Sequence, residues 1–170
     1  MNLFKYTAAL LLLFFFSAEI YAQSEKLHTV FIYNFTKHIE WPEAYRKGDF
    51  VIGVLGTSPI IAELENLATT RNVAGQNIVV QKFKKPEDIV RCHILYIPQS
   101  QSDEIGAAMA MVKNYSTLIV TDKKGMANAG AAINFIVEGS KQKFEFKKSN
   151  ATKYGLKVSS DLERLAIIVD

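Results

Sequence analysis

The chain has 170 residues, 49% of them apolar and 22% charged, with 20 Lys and Arg against 17 Asp and Glu. That composition excludes a disordered chain. A net charge of +3 excludes a nucleic-acid binder in the absence of a clustered basic face with interleaved aromatics.

The N-terminus comes first in chain order. Ala8 to Phe16 is an unbroken run of nine apolar residues, preceded by Lys5 and followed by Ile20-Tyr21-Ala22 before Gln23. A basic n-region, an apolar h-region and a small residue at the cut define a secretory signal peptide over residues 1–22. The run is shorter than the roughly 20 residues needed to span a bilayer. Residues 23–170 are then expected to form a single domain.

Leu27, Phe31, Phe35 and Ile39 recur every four residues and predict one face of an amphipathic helix. Phe50 to Leu55 reads as a buried strand that stops at Gly56-Thr57-Ser58-Pro59, with Pro59 placed to open a helix carrying Ile60, Leu64 and Leu67 on its inner side. Asn77 to Phe83 alternates and is rich in β-branched residues, which predicts the next strand. A helical turn over Pro86 to Val90 leads to a strand from His93 to Ile97. Ser102 is expected to cap a helix from Asp103 to Lys113. Ser116 to Thr121 reads as a further buried strand, and this β-α-β rhythm implies parallel pairing under helices.

The last third breaks that rhythm. Met126 to Gly130 reads as a small-residue loop. Ile133–Val137 and Lys143–Phe146, on either side of Gly139-Ser140, predict an antiparallel hairpin. Asn150 is a candidate cap for a short helix ending at Gly155. Ser160-Asp161-Leu162-Glu163 has the capping-box pattern, opening a final helix with Leu162, Leu165, Ala166 and Val169 on its inner face. The fold class expected is α/β: a three-layer, Rossmann-like sheet of mainly parallel strands with a C-terminal antiparallel hairpin, flanked by helices.

No catalytic constellation stands out, and neither a metal nor a cofactor is expected. His28, His38 and His93 lack the i, i+4 pairing of a zinc-protease helix and read as structural or solvated. Gly56 and Ser58, after the first strand of the parallel run, together with Asp122, after Leu118-Ile119-Val120-Thr121, lie where α/β sheets place ligands and mark a possible ligand or anion site. Trp41 and Tyr45 are either core cover or partner anchors. Ile167 and Ile168 lie beside the core face of the final helix and are candidate partner contacts. Cys92 is the lone cysteine, so no intrachain disulfide exists. It reads as a buried small hydrophobe or as a redox thiol.

The order of these segments resembles the YfiR family. The resemblance rests on Phe31-Ile32-Tyr33-Asn34-Phe35-Thr36-Lys37-His38-Ile39-Glu40-Trp41-Pro42, the Phe50–Gly56 strand, Cys92-His93-Ile94-Leu95-Tyr96-Ile97 and Leu118-Ile119-Val120-Thr121-Asp122. It continues through Ala132-Ile133-Asn134-Phe135 and Lys143-Phe144-Glu145-Phe146 to Gly155-Leu156-Lys157-Val158-Ser159-Ser160-Asp161-Leu162, and so covers about residues 27 to 169. It implies a non-enzymatic periplasmic repressor, expected to be a homodimer. Such a repressor binds the periplasmic part of an inner-membrane diguanylate cyclase, holds it inactive and thereby limits biofilm, and an outer-membrane lipoprotein can sequester it. Cys92 matches a family cysteine position, but its partner cysteines are missing, so the intrachain disulfide control that the resemblance would imply is not available here. The alternative reading is a periplasmic small-molecule binder or enzyme that uses the strand ends.

Overall fold

The computed structural model describes residues 23–170; the expected signal peptide, residues 1–22, lies outside the described residues. Among the described residues, no helix is long and apolar enough to cross a membrane.

The continuous apolar runs become the centre of the sheet. Strands β2 (Phe50–Leu55), β5 (Ile94–Ile97) and β6 (Leu118–Thr121) are buried along their whole length, except at Val51. Burial on both faces is why they are written without polar alternation. β4 (Gln76–Phe83) alternates because it lies nearer the edge, against the short β3 (Asn72–Val73). β6 is followed across the sheet by the hairpin β7 (Ile133–Glu138) and β8 (Lys141–Phe146).

The eight-stranded order is β10-β8-β7-β6-β5-β2-β4-β3, where β10 is Ile167–Ile168. β4-β2-β5-β6-β7 are mutually parallel, β7-β8 antiparallel and β8-β10 parallel. The chain runs outward from β2 to β4 through α2 (Ile60–Ala68), then returns past β2 to β5. It continues to β6 through α3 (Ile105–Val112) and to β7 through α4 (Met126–Ala129). A second, two-stranded sheet pairs β1 (Ile39–Glu40) antiparallel with β9 (Lys157–Val158). The expected α/β architecture, with its mainly parallel sheet, flanking helices and C-terminal hairpin, is the observed one.

Several local expectations are corrected. Helix α1, residues 23–35, buries His28, Thr29, Ile32 and Phe35, while Leu27 is 40% exposed. The inner stripe is therefore set one position later than the apolar periodicity indicates, because polar His28 and Thr29 occupy it. Ile39 is not helical. Thr36 N and Oγ1 both bond Tyr33 O (3.2 and 2.7 Å), which closes the helix before β1. Ser102 caps nothing. A 3-10 segment, Gln99–Glu104, precedes α3, and the buried Ser102 hydroxyl accepts from Lys123 Nζ at 2.8 Å. Met126–Ala129 is a helical turn rather than a loop.

Asn150 lies inside α5 (Lys148–Thr152) and donates Nδ2 to Ala127 O (2.8 Å) and Ala131 O (2.9 Å), tying two connections together. The cap of α6 (Ser160–Leu165) is Ser159, whose hydroxyl accepts from Leu162 N. The final helix does not reach Val169. It ends at Leu165, which is 68% exposed, and the chain extends into β10 beside β8. Ile167-Ile168-Val169 is β-branched throughout, which suits an edge strand better than a last helical turn.

One turn carries backbone strain. Ala74 (φ 49°) and Gly75 (φ 87°) join β3 to β4, and both occupy the left-handed region. A two-residue hairpin turn of this kind prefers Asn-Gly. Ala74 is exposed, so Ala74→Asn relieves strain without repacking. It is expected to raise stability by about 0.5–1 kcal/mol, read as a higher urea midpoint at unchanged m-value.

Candidate functional site

The chain reverses direction across the sheet between β2 and β5, where open α/β sheets commonly bind ligands. That crevice is filled. The amide of Gly56 donates to Phe83 O (2.7 Å), Ile60 N to Ser58 Oγ (3.4 Å) and Ile61 N to Ser58 O (3.2 Å). Gln101 lies over Gly56, so a Cβ there would meet its side chain at 2.8 Å. Gly56 and Ser58 thus sit in a closed turn, away from Asp122.

Asp122 belongs to a different place. It follows β6 and lines an open cleft of about 530 Å3, shared with Ser24, Glu25, His28, Gln99 and Phe135. Its Oδ2 accepts from Tyr96 Oη at 2.8 Å, while Oδ1 is buried with no hydrogen-bond partner among the described residues. Across the cleft, α1 presents Glu25 and His28 on one face, since residues three apart on a helix are neighbours. The ligand-capable atoms of Glu25, His28 and Asp122 lie within 4.8 Å of one another.

The polarity of this cluster is unusual. His28 is only 5% exposed, yet neither ring nitrogen has a hydrogen-bond partner among the described residues, and Glu25 Oε2 has none either. Buried polar groups are nearly always paired. The His28 ring stacks flat on Phe135, with centroids 4.0 Å apart and planes 3° from parallel. Gln142 on the cleft wall donates its Nε2 to Ile136 O and Lys143 O (2.9 and 3.2 Å). Burial, then Asp122 and then Glu63 push the Glu25 carboxyl up to about 7. Burial lowers the His28 pKa, with Asp122 and Gln142 opposing. The Tyr96 phenol is raised, first by burial and then by Asp122 and Glu25, so it stays a proton donor to Asp122.

Beneath the cleft lies a polar chain. Thr121 Oγ1 donates to Asn134 Oδ1 (2.7 Å), and Asn134 Nδ2 donates to Glu145 Oε2 (2.8 Å). Thr121 and Asn134 are fully buried. This chain fixes the β6-β7-β8 register beside the cleft.

The other sequence candidates are scattered. Trp41 and Tyr45 are 6% and 7% exposed. Trp41 Nε1 donates to His93 O (3.1 Å), and Tyr45 Oη accepts from Ser116 N (2.8 Å). Their polar atoms are therefore spent within the domain. Cys92 is fully buried, and burial pushes its thiol up to about 12, against Thr117 and Gly53. Ile167 is half-buried and Ile168 is 50% exposed at the sheet edge. Nearby, Phe31, Phe35, Phe144, Leu162 and Leu165 line an apolar groove of about 240 Å3. His38 Nδ1 lies 3.3 Å from Ser159 Oγ, outside the cleft.

Glu25 and His28 were missed as a pair. The detectable signal is the Glu-x-x-His spacing on one helix, whose third member, Asp122, lies far along the chain.

A curled, mainly parallel sheet with helices on its faces, and a side-chain-lined cleft beside Asp122, define an α/β protein. A family model described as YfiR/HmsC-like matches residues 25–167, and the chain belongs to that family, whose members are regulators rather than enzymes. No curated protein matches it.

Proposed function

We propose that this chain is a periplasmic regulatory protein, delivered by cleavage after residue 22, that holds an inner-membrane diguanylate cyclase inactive through protein contact. The observation that carries this reading is the family match over residues 25–167. A repressor of this kind acts by binding the inactive state of its partner more tightly than the active one. The contact we assign to it is the β10 edge, where Ile168 and Leu165 are exposed beside the apolar groove, with half-buried Ile167 next to them. An edge strand bearing apolar side chains is a ready template for association. The same edge suits a homodimer or an outer-membrane lipoprotein that sequesters the repressor.

Deletion of the gene is expected to raise cyclic di-GMP and adhesion. The tagged protein is expected to co-purify with a membrane cyclase, and Ile168→Glu to lose that partner without lowering Tm. Unchanged cyclic di-GMP together with no recovered membrane partner contradicts the proposal. A small-molecule binder is the second reading. Its support is the strand-end cleft around Asp122.

A further inference from the structure

We propose that Glu25, His28 and Asp122 form a binding site for a divalent transition-metal cation of the Zn2+ type. The argument starts from atoms that lack partners. Glu25 Oε2, both nitrogens of His28 and Asp122 Oδ1 are buried without a hydrogen bond among the described residues, and they converge on one point of the cleft. An imidazole that is 95% enclosed and makes no hydrogen bond among the described residues is costly to keep. A cation satisfies all three side chains at once.

The geometry suits such an ion. Metal–ligand bonds of about 2.0–2.2 Å place coordinating atoms roughly 3–4 Å apart. Ligand atoms within 4.8 Å of one another reach that spacing by small side-chain rotations. Glu25 and His28 come from one turn of α1 and Asp122 from the end of β6, so the ion would bridge helix and sheet. The surroundings are those of a built site. Tyr96 Oη holds the non-ligating Oδ2 of Asp122, and Phe135 fixes the plane of His28. Outer contacts of this kind orient metal ligands.

Glu138 and Glu145 also line the cleft, with Lys124, but Glu138 is ion-paired with Lys143 and Glu145 accepts from Asn134, so Glu25 and Asp122 are the carboxylates the cluster offers. One nitrogen and two carboxylates select a borderline cation over Mg2+ or Ca2+, which prefer all-oxygen shells. Three protein ligands beside an open cleft leave a coordination position for water, for a small anion or for a partner's side chain.

The test uses the purified protein, stripped with a chelator and titrated with Zn2+ in a calorimeter, with Tm followed in parallel. One Zn2+ per chain is expected, with Tm rising by about 5–10 °C at a hundredfold excess over Kd. Glu25→Gln and Asp122→Asn are nearly isosteric, and each is expected to weaken Zn2+ binding at least tenfold. His38→Gln should leave it unchanged, and millimolar Mg2+ should not compete. Circular dichroism checks that each variant is folded. If His28→Gln unfolds, the two carboxylate variants still decide the matter. Absence of a one-to-one transition overturns the site, as does Zn2+ binding undiminished in both Glu25→Gln and Asp122→Asn. Neither result bears on the cyclase reading, which is judged by cyclic di-GMP.

Discussion

His93→Ala is expected to cost about 3–4 kcal/mol of stability, with a loss that shrinks as the pH falls. The side chain of His93 knits three segments. Its Nδ1 accepts from Val51 N at 3.0 Å, and Nε2–H donates to Tyr45 O at 2.8 Å. Its ring stacks on Phe50 with centroids 4.2 Å apart, and Tyr45 meets it edge-on. Truncation to Ala leaves the half-buried Val51 N–H without its acceptor and opens a cavity beside Phe50. The tautomer follows from the backbone: a strand N–H pointing at Nδ1 requires that nitrogen to be bare.

The pH dependence has a definite sign. Burial, with Arg91 assisting, lowers the pKa of His93 below its ordinary 6.5, although the Tyr45 carbonyl opposes. The unfolded chain therefore takes up the proton first. Stability from the neutral imidazole is complete above about pH 6.5 and declines as the pH falls below it, by at most about 1.4 kcal/mol per pH unit. Glu25, raised to about 7, acts in the opposite direction. The wild-type minus variant difference is therefore the quantity to plot, from urea unfolding at pH 7.5, 6.5 and 5.5. A difference that stays flat across that range contradicts the assignment.

Gly53→Ala is the second large effect, expected to cost about 2–3 kcal/mol, or roughly 5–10 °C in Tm. Gly53 lies in the middle of β2, paired with Gln81 on one side and Leu95 on the other. A Cβ there would lie 2.5 Å from Phe83 Cε2 and 3.4 Å from Cys92 Sγ. Phe83 is 1% exposed, so its ring has no room to swing away. Intrinsic strand preference alone would make Ala the better residue, so the direction of the change tests the packing argument directly. In the Gly53→Ala background, Phe83→Leu should recover part of the loss, giving a coupling that a double-mutant cycle resolves. A neutral or stabilising Gly53→Ala contradicts the close approach.

Much of the fold was legible in the sequence. Phe50–Leu55 and Ile94–Ile97 announce themselves because strands buried on both faces need no polar residue, and the Gly139-Ser140 turn marks the hairpin. The position of β2 between β4 and β5 was not legible, because apolar runs do not say which of their kind they will pair with. Helix α1 was misread by one position because its inner face carries His28 and Thr29, which periodicity counts as outward. The last strand was hidden by Leu162 and Leu165, whose spacing suits a continuing helix.

The site was the least legible part. Asp122 was singled out from its place at a strand end, but with Gly56 and Ser58, which follow a strand two positions away. Glu25 and His28 become notable only when the end of β6 brings a second carboxylate, Asp122, to them and no partner among the described residues satisfies the imidazole. The Glu-x-x-His spacing is the only part of that arrangement written along the chain; the approach of Asp122 depends on the fold.

The small β1-β9 sheet bears on the order of assembly. It joins segments separated by 121 residues, as measured at the His38–Ser159 contact, and Ser159 N also bonds His38 O. Contacts so distant along the chain close late, because their loop entropy is met only after nearer pairings have formed. The parallel sheet from β2 to β7 can condense first, with the β1-β9 pair closing after it. The pairing that ties the segment after α1 to the C-terminal segment is therefore expected to be among the last in the chain to form.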